Sequence, residues 1–242
     1  MVFIYNFAPN SNYFNTTNNY INTNLFLNLD AGNSSSYSGV GSTWNDLSGN
    51  GRNATLISAP TYTGSQGGYF HFTDEIFQYA VTPVVPSLSI WTIEAWYRPT
   101  KSLTGKITSI VSNEYNGTNI NYSLGNNNAP TTNYNLSGGF YNGSWKTTTG
   151  LTPTLNTWYQ GLVTYDGSTV TQYSNGIVQS SIAGAGPSVS GGGIRIARRW
   201  DGGNLSTNFF DGDISIVRIY STALSAAQVL QNYNAVKGRY GL

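Results

Sequence analysis

The chain contains no cysteine and one histidine, His71. The first absence removes thiol nucleophiles, Cys-ligated zinc and disulfide staples. The second leaves zinc without a ligand set and confines any Ser-His-Asp chemistry to His71. His71 lies in Tyr69-Phe70-His71-Phe72, a strand-like run among aromatics, where a packed and hydrogen-bonded imidazole is expected. Charge is also scarce: 9% of residues, with 11 basic against 10 acidic for a net charge of +1. That gives no electrostatic footprint for nucleic acid, and the densest basic cluster, Arg195, Arg198 and Arg199, is too small to make one. No apolar run approaches the ~20 residues of a membrane span, so no membrane insertion is expected. The opening residues have no basic stretch followed by an apolar one, so no signal peptide is expected. Asn-x-Ser/Thr triplets such as Asn116-Gly117-Thr118 are frequent by chance in an Asn-rich chain, and no glycosylation is expected. Gly191-Gly192-Gly193 precedes a strand rather than a helix, so it is not a phosphate loop.

What is present is aromatic, Gly-rich and Asn-rich: 14% aromatics and 28 glycines in 242 residues. Such a chain suits an all-β protein with many tight turns. Short strands are predicted at residues 25–29, 54–57, 69–72, 78–81, 89–98, 107–112, 121–124, 138–141, 158–165, 170–173, 177–181, 193–197 and 214–220. In the clearest of them Trp91, Ile93, Ala95 and Tyr97 share one face, and Thr92, Glu94 and Trp96 the other. Asp166-Gly167 and Asn175-Gly176 predict type I′ hairpin turns and hence a three-stranded meander. Residues 214–220 are apolar on both faces, as in a strand covered on both sides.

One helix is predicted, after that last strand. Ser225 is its N-cap, Gln228 completes a capping box, and Leu224 and Val229 form a hydrophobic staple. Gly238 is the expected stop. The fold class is therefore all-β: a two-sheet antiparallel jelly-roll sandwich with one short C-terminal helix. Residues 25–242 form the domain. Residues 1–24 differ in character, with Phe3, Tyr5, Phe7, Tyr13 and Phe14 set among Asn. They read either as an extra edge strand or as an arm whose aromatics dock on a neighbouring subunit.

The closing segment, Phe210-Asp211-Gly212-Asp213-Ile214-Ser215-Ile216-Val217-Arg218-Ile219-Tyr220 with Ala223-Leu224-Ser225-Ala226 beyond it, resembles the end of a laminin-G-like domain of the concanavalin A-like lectin/glucanase superfamily. Trp44-Asn45-Asp46-Leu47-Ser48-Gly49-Asn50-Gly51 resembles the opening of that family. Thr92 to Pro99 resembles its central strand, and Trp158 to Gly167 its late hairpins. The order is right, from about Leu25 to Leu242. Leu27 to Asn33 and Gln231 to Leu242 resemble the version found in structural proteins of phages and large viruses.

The resemblance raises hydrolysis, calcium and glycan binding. Retaining glucanases need two carboxylates about 5–5.5 Å apart, which the family places in a Glu-x-Asp-x-(x)-Glu cluster. This chain has none. Its one i, i+2 acidic pair, Asp211 and Asp213, falls in the closing segment, so no enzyme is expected and no catalytic residue is assigned. Calcium is the one cofactor left open, with Asp74 and Asp201 as ligands and Glu75 and Glu114 as further loop acids. Sugars bind by stacking on aromatic faces and by hydrogen bonds to polar groups. Candidate platforms are Tyr115, Tyr141, Trp145 and Trp200 with Asp201. Trp96 with Glu94 is either a further platform or a buried residue beside a Glu94–Arg218 pair. Trp44, Trp91 and Trp158 are assigned to packing.

The function implied is a non-enzymatic virion structural protein, a capsid decoration, fibre or tail appendage at the virion surface, whose lectin-like domain binds glycans. Its partners would be other virion proteins or copies of itself in a homo-oligomer, and cell-surface glycans. The alternative is a stand-alone extracellular lectin or carbohydrate-binding module. A glycan hydrolase ranks last.

Overall fold

The computed structural model describes residues 20–102, 107–115, 119–126, 135–186, 191–199 and 208–242, with the backbone alone for Glu114, Tyr115 and Asn119. The candidate arm anchors Phe3, Tyr5, Phe7, Tyr13 and Phe14 lie outside the described residues. The strands run β1 (Leu25–Asp30), β2 (Thr43–Trp44), β3 (Ala54–Ile57), β4 (Thr61–Thr63), β5 (Tyr69–Phe72), β6 (Tyr79–Val85), β7 (Trp91–Pro99) and β8 (Thr108–Tyr115). They continue with β9 (Asn119–Asn126), β10 (Ser137–Tyr141), β11 (Trp145–Thr147), β12 (Tyr159–Tyr165), β13 (Thr169–Ser174), β14 (Ile177–Ala183), β15 (Gly192–Ile196) and β16 (Gly212–Tyr220). Helix α1 (Ala226–Val236) follows.

These strands form two antiparallel sheets. One has the order β14-β13-β12-β7-β16-β5-β4, with β1 also on β16; the other has the order β11-β10-β9-β8-β15-β6-β3-β2. β16 is the hub of the first sheet. One of its edges is filled by β7, and the other is shared by β5 and β1. Side chains that alternate inward meet between the sheets, where Trp44, Trp91, Tyr97, Tyr122, Tyr165, Phe70, Phe72, Phe140 and Phe210 are all fully buried. Each large apolar side chain removed from water contributes about 1.5–3 kcal/mol. This interior lets a chain without disulfides hold together.

The opposite face of the first sheet is buried as well. Glu94 and Arg218 are cross-strand neighbours in β7 and β16, and Arg218 Nη1 lies 3.5 Å from Glu94 Oε1. Three neutral donors complete the Glu94 carboxylate: Gln160 Nε2 at 2.9 Å, Asn232 Nδ2 at 2.8 Å and Trp96 Nε1 at 3.2 Å. Asn232 belongs to α1, so the helix is fastened through its own buried amide, which also bonds the Tyr220 hydroxyl. Burial works against the Arg218 charge, but Glu94, Tyr220 and Asp30 together hold its pKa above the ordinary value. Trp96 is fully buried here, so it is no sugar platform. The Arg218 guanidinium lies 4.0 Å from the Tyr20 ring centroid, and Ile21 N donates to Asn232 Oδ1 at 2.8 Å. Tyr20 and Ile21 therefore pack on their own domain.

The helix starts as expected: Ser225 and Gln228 form the capping box, and Leu224 and Val229 share one apolar cluster. Its end is different. Gly238 does not stop it; a 3-10 turn, Lys237–Tyr240, continues the chain, and Gly241 takes the left-handed position at φ 73°. The tail after Gly238 folds back on the domain. Arg239 clamps Asp30 with two bonds of 2.7 and 3.0 Å. The Tyr240 ring stacks on Trp96 at 4.8 Å and on Trp158 at 4.5 Å. The two hairpin turns also differ from each other. Asn175-Gly176 has both residues at positive φ, as type I′ requires, whereas at Asp166-Gly167 only Gly167 does. There the Asp166 carboxylate holds the turn by accepting from Ser168 N and Thr169 N, each at 2.8 Å.

Replacing Glu94 by Ala strands a buried guanidinium, so the expected loss is about 3–5 kcal/mol of unfolding free energy. The double change Glu94→Leu with Arg218→Met should recover most of it. Urea unfolding of the two variants checks both outcomes.

Candidate functional site

The alternation that sends Phe140 into the core places Tyr141 on the other face of β10, at the outside of the second sheet. Asn142-Gly143-Ser144 turns the chain, with Gly143 at φ 97°, and β11 returns so that Trp145 is the direct cross-strand partner of Tyr141. Their rings meet edge to face, 5.4 Å between centroids. Both side chains are half-buried. Trp145 thus sits on a short strand rather than in a loop. Gly139 makes the hairpin possible: at φ 155°, a Cβ there would run into the Lys146 backbone carbonyl. Asn142 Nδ2 ties the turn to the carbonyls of Ala185 and Gly186, each at 3.0 Å.

A cation completes the group. The Arg199 guanidinium lies 5.1 Å from the Trp145 ring centroid, within the range of cation–π attraction. Two fixed aromatic rings and a guanidinium can stack on the C–H face of a sugar ring and donate to its oxygens. Of the sequence-predicted platforms the structure brings Tyr141 and Trp145 together. Tyr115 ends β8, but its side chain is outside the described residues, as are Trp200 and Asp201. Arg199 was not foreseen as part of the group; its place beside Trp200 in the sequence is the only local hint.

Of the acidic candidates, Asp201 and the Glu114 side chain lie outside the described residues, and the others are engaged in ion pairs or hydrogen bonds. Lys101 Nζ lies 3.2 Å from Asp74 and 3.0 Å from Glu75, so an ammonium pairs with both carboxylates. Among the described residues no group of three or more His, Cys, Asp or Glu is arranged around a metal position. Asp211 accepts from the Thr100 hydroxyl at 3.0 Å. Asp213 holds Arg98 Nε at 2.6 Å and His71 Nδ1 at 2.8 Å. The acidic pair that spacing singled out is therefore locked in structure.

The side-chain bond to Asp213 raises the His71 pKa above 6.5, with burial and Arg98 opposing and the Asp213 and Asp211 charges assisting. A raised histidine stabilises the fold fully below the unfolded value of 6.5, and that contribution fades as pH rises through the folded value. At 37% side-chain exposure, solvent screens the pair and keeps it modest. As His71 is the only histidine, a single imidazole resonance reports it. Its NMR titration midpoint is expected above 6.5, falling in Asp213→Asn, while melting temperature declines slightly across the same pH window.

A cleft of about 350 Å³ opens elsewhere, between Tyr37 and Tyr62. Sequence reading passed over it; the glycines and proline around those two tyrosines were the available signal.

The comparisons with known proteins bear on the fold. The family model described as Laminin_G_3, concanavalin A-like lectin/glucanases superfamily, matches residues 74–230, well over half of the chain. No curated protein sequence matches. Among solved structures, domain 4 of an extracellular GH43 arabinanase from Geobacillus stearothermophilus, in complex with arabinotriose, superposes with a TM-score of 0.67 at 18% identity, covering 86% of this chain and 98% of that one. The binding domain of botulinum neurotoxin DC, in complex with SialylT, gives 0.66 at 14%, covering 89% and 52%. The binding domain of Paraclostridial mosquitocidal protein 1 gives 0.63 at 17%, covering 88% and 52%. The chain thus spans about half of each toxin binding domain, and at these identities the likeness concerns the fold. With two antiparallel sheets, a closing helix and that family match, the chain belongs to the Laminin_G_3 family of the concanavalin A-like lectin/glucanases superfamily.

Proposed function

We propose that this domain is a non-enzymatic, lectin-like module that binds glycans at the Tyr141–Trp145 hairpin and belongs to a structural protein of a virion surface. The observation that carries the binding reading is the cross-strand ring pair with Arg199 over Trp145. Fold neighbours were solved with arabinotriose and with SialylT, and one toxin is described as depending on two ganglioside molecules for cell entry. These ligands belong to those proteins; they make sugar the first chemistry to try here.

The non-enzymatic reading rests on the acids. Of the ten acidic residues all but Glu114 and Asp201 have described side chains, and every one of these is engaged. Asp30, Glu94 and Asp213 hold arginines, Asp74 and Glu75 hold Lys101, and Asp211 bonds Thr100. Asp46 and Asp166 organise turns through backbone N–H groups. Each of these eight carboxylates thus already serves as an ion-pair or hydrogen-bond partner within the fold.

The virion reading rests on the resemblance of Leu27–Asn33 and Gln231–Leu242 to viral structural proteins. Those segments meet in space through Asp30 and Arg239, so they behave as one structural unit. Residues 1–19 would serve as the docking arm, since Tyr20 and Ile21 are already committed to the domain.

On a glycan array the intact protein should give a signal that Trp145→Ala weakens about tenfold, or ~1.4 kcal/mol. No signal from the intact protein would reject glycan binding, and release of reducing ends would reject the non-enzymatic reading. Deleting residues 1–19 should leave the melting temperature unchanged while abolishing incorporation into particles. Normal incorporation would remove the arm.

A further inference from the structure

We propose that the Tyr37–Tyr62 cleft is a second binding site, specific for one neutral sugar ring, and distinct from the Tyr141–Trp145 hairpin. The cleft lies where the edges of the two sheets meet, between β3 of one and β4 of the other. Its volume of about 350 Å³ falls at the small end of the ~300–1,000 Å³ range of ligand sites, the size for a single ring with its hydroxyls.

Tyr37, Leu56 and Pro60 form a buried base, and Tyr62 forms a half-buried wall. The two tyrosine rings meet edge to face at 4.8 Å. Both hydroxyls are already used: Tyr37 donates to the Gly41 carbonyl at 2.9 Å and Tyr62 to the Ala31 carbonyl at 3.2 Å. Tyr37 is packed edge to face on Phe70 at 4.7 Å, so the half-buried Tyr62 ring is the one that offers carbon surface to the cleft. At the mouth Gly39 and Gly41, at φ 97° and 94°, carry the chain past without side chains; a Cβ at Gly41 would meet nothing within 4 Å. Exposed Ser42 and the glycine backbone supply hydrogen-bonding groups there. A ring with an apolar face and a hydroxylated rim matches this split. Among the described residues no charged side chain lines the cleft, so an ionised ligand would lose hydration with no counter-charge there.

The far wall is held rigid. Ser58 and Ala59 are consecutive non-glycine residues in the left-handed region, at φ 58° and 49°, an arrangement that costs energy unless its surroundings fix it. Buried Gln78 does so: its Nε2 donates to both carbonyls at 3.0 Å, and its Oε1 accepts from Thr73 N at 2.9 Å. Ala59 lines the cleft. A wall set before the ligand arrives lowers the ordering cost of binding.

The test uses ¹H–¹⁵N spectra of the full chain titrated with millimolar glucose, galactose, mannose or arabinose. At least one sugar should shift the amides of Gly39, Gly41 and Tyr62. Tyr62→Ala and the cleft-filling Ser42→Phe should abolish the shifts, Trp145→Ala should leave them intact, and glucuronate should bind about tenfold more weakly. The proposal is overturned if none of the neutral sugars shifts these amides, if Ser42→Phe responds like the parent protein, or if glucuronate or phenol binds as well as the best sugar. Since Ser42 is exposed, that variant decides the matter even where Tyr62→Ala perturbs the fold.

Discussion

A carboxylate with no access to water sits in the middle of the first sheet, and much of the structure answers to it. Glu94 cannot be buried alone; the cost of an uncompensated charge exceeds what a domain of this size can spare. Arg218 has to face it across the strand pair, and Gln160, Asn232 and Trp96 have to complete its hydrogen bonds. Each requirement fixes an element. Arg218 sets the register of β16 on β7, since a one-residue slip would turn the guanidinium to the opposite face and bare both charges. Asn232 sets the rotation of α1, and through Ile21 and Tyr20 the same cluster ties down the chain before β1. Such a pair is a poor source of net stability compared with apolar packing, yet it strongly disfavours wrong pairings.

Much of this could be read from the sequence, and the limits have physical reasons. The alternation in β7, the Asn175-Gly176 turn and the Ser225–Gln228 box are local signals, and local signals survive in one dimension. Strands of two or three residues such as β2, β4 and β11 carry no period to detect, so Trp145 fell outside the predicted strands. Gly238 was a reasonable helix stop, but the chain prefers a tighter turn that lays Tyr240 on Trp96 and Trp158. Asp30 and Arg239 are 209 positions apart, and nothing near either announces the other. The Tyr141–Trp145 hairpin was half legible, because its aromatics flank a turn. Arg199 and the Tyr37–Tyr62 cleft, assembled from separate segments, were not.

Scarcity of charge gives the molecule its chemical character. With so few ionised groups, nearly every one described is a fastener: a carboxylate across from an arginine, or a carboxylate gathering backbone N–H groups around a turn. Around the Tyr141–Trp145 hairpin the polar character comes mostly from aromatic rings, amides and hydroxyls, with Arg199 the one cation against the pair. Such surfaces suit uncharged, hydroxyl-rich partners, and their contacts are little screened by salt.

The position of β16 bears on how the chain can be made. It is the last strand in sequence and an interior one in its sheet, flanked by β7 on one edge and by β5 and β1 on the other. During vectorial synthesis those neighbours emerge first: β7 can pair only with β12 and β5 only with β4, while β1 has no other partner. Glu94 waits 124 positions for Arg218. The sheet cannot grow strand by strand from its beginning; it is completed by inserting its middle. A fragment lacking β16 is therefore two unpaired edges around a missing axis rather than a smaller sandwich, and contacts of such long range favour slow, all-or-none folding.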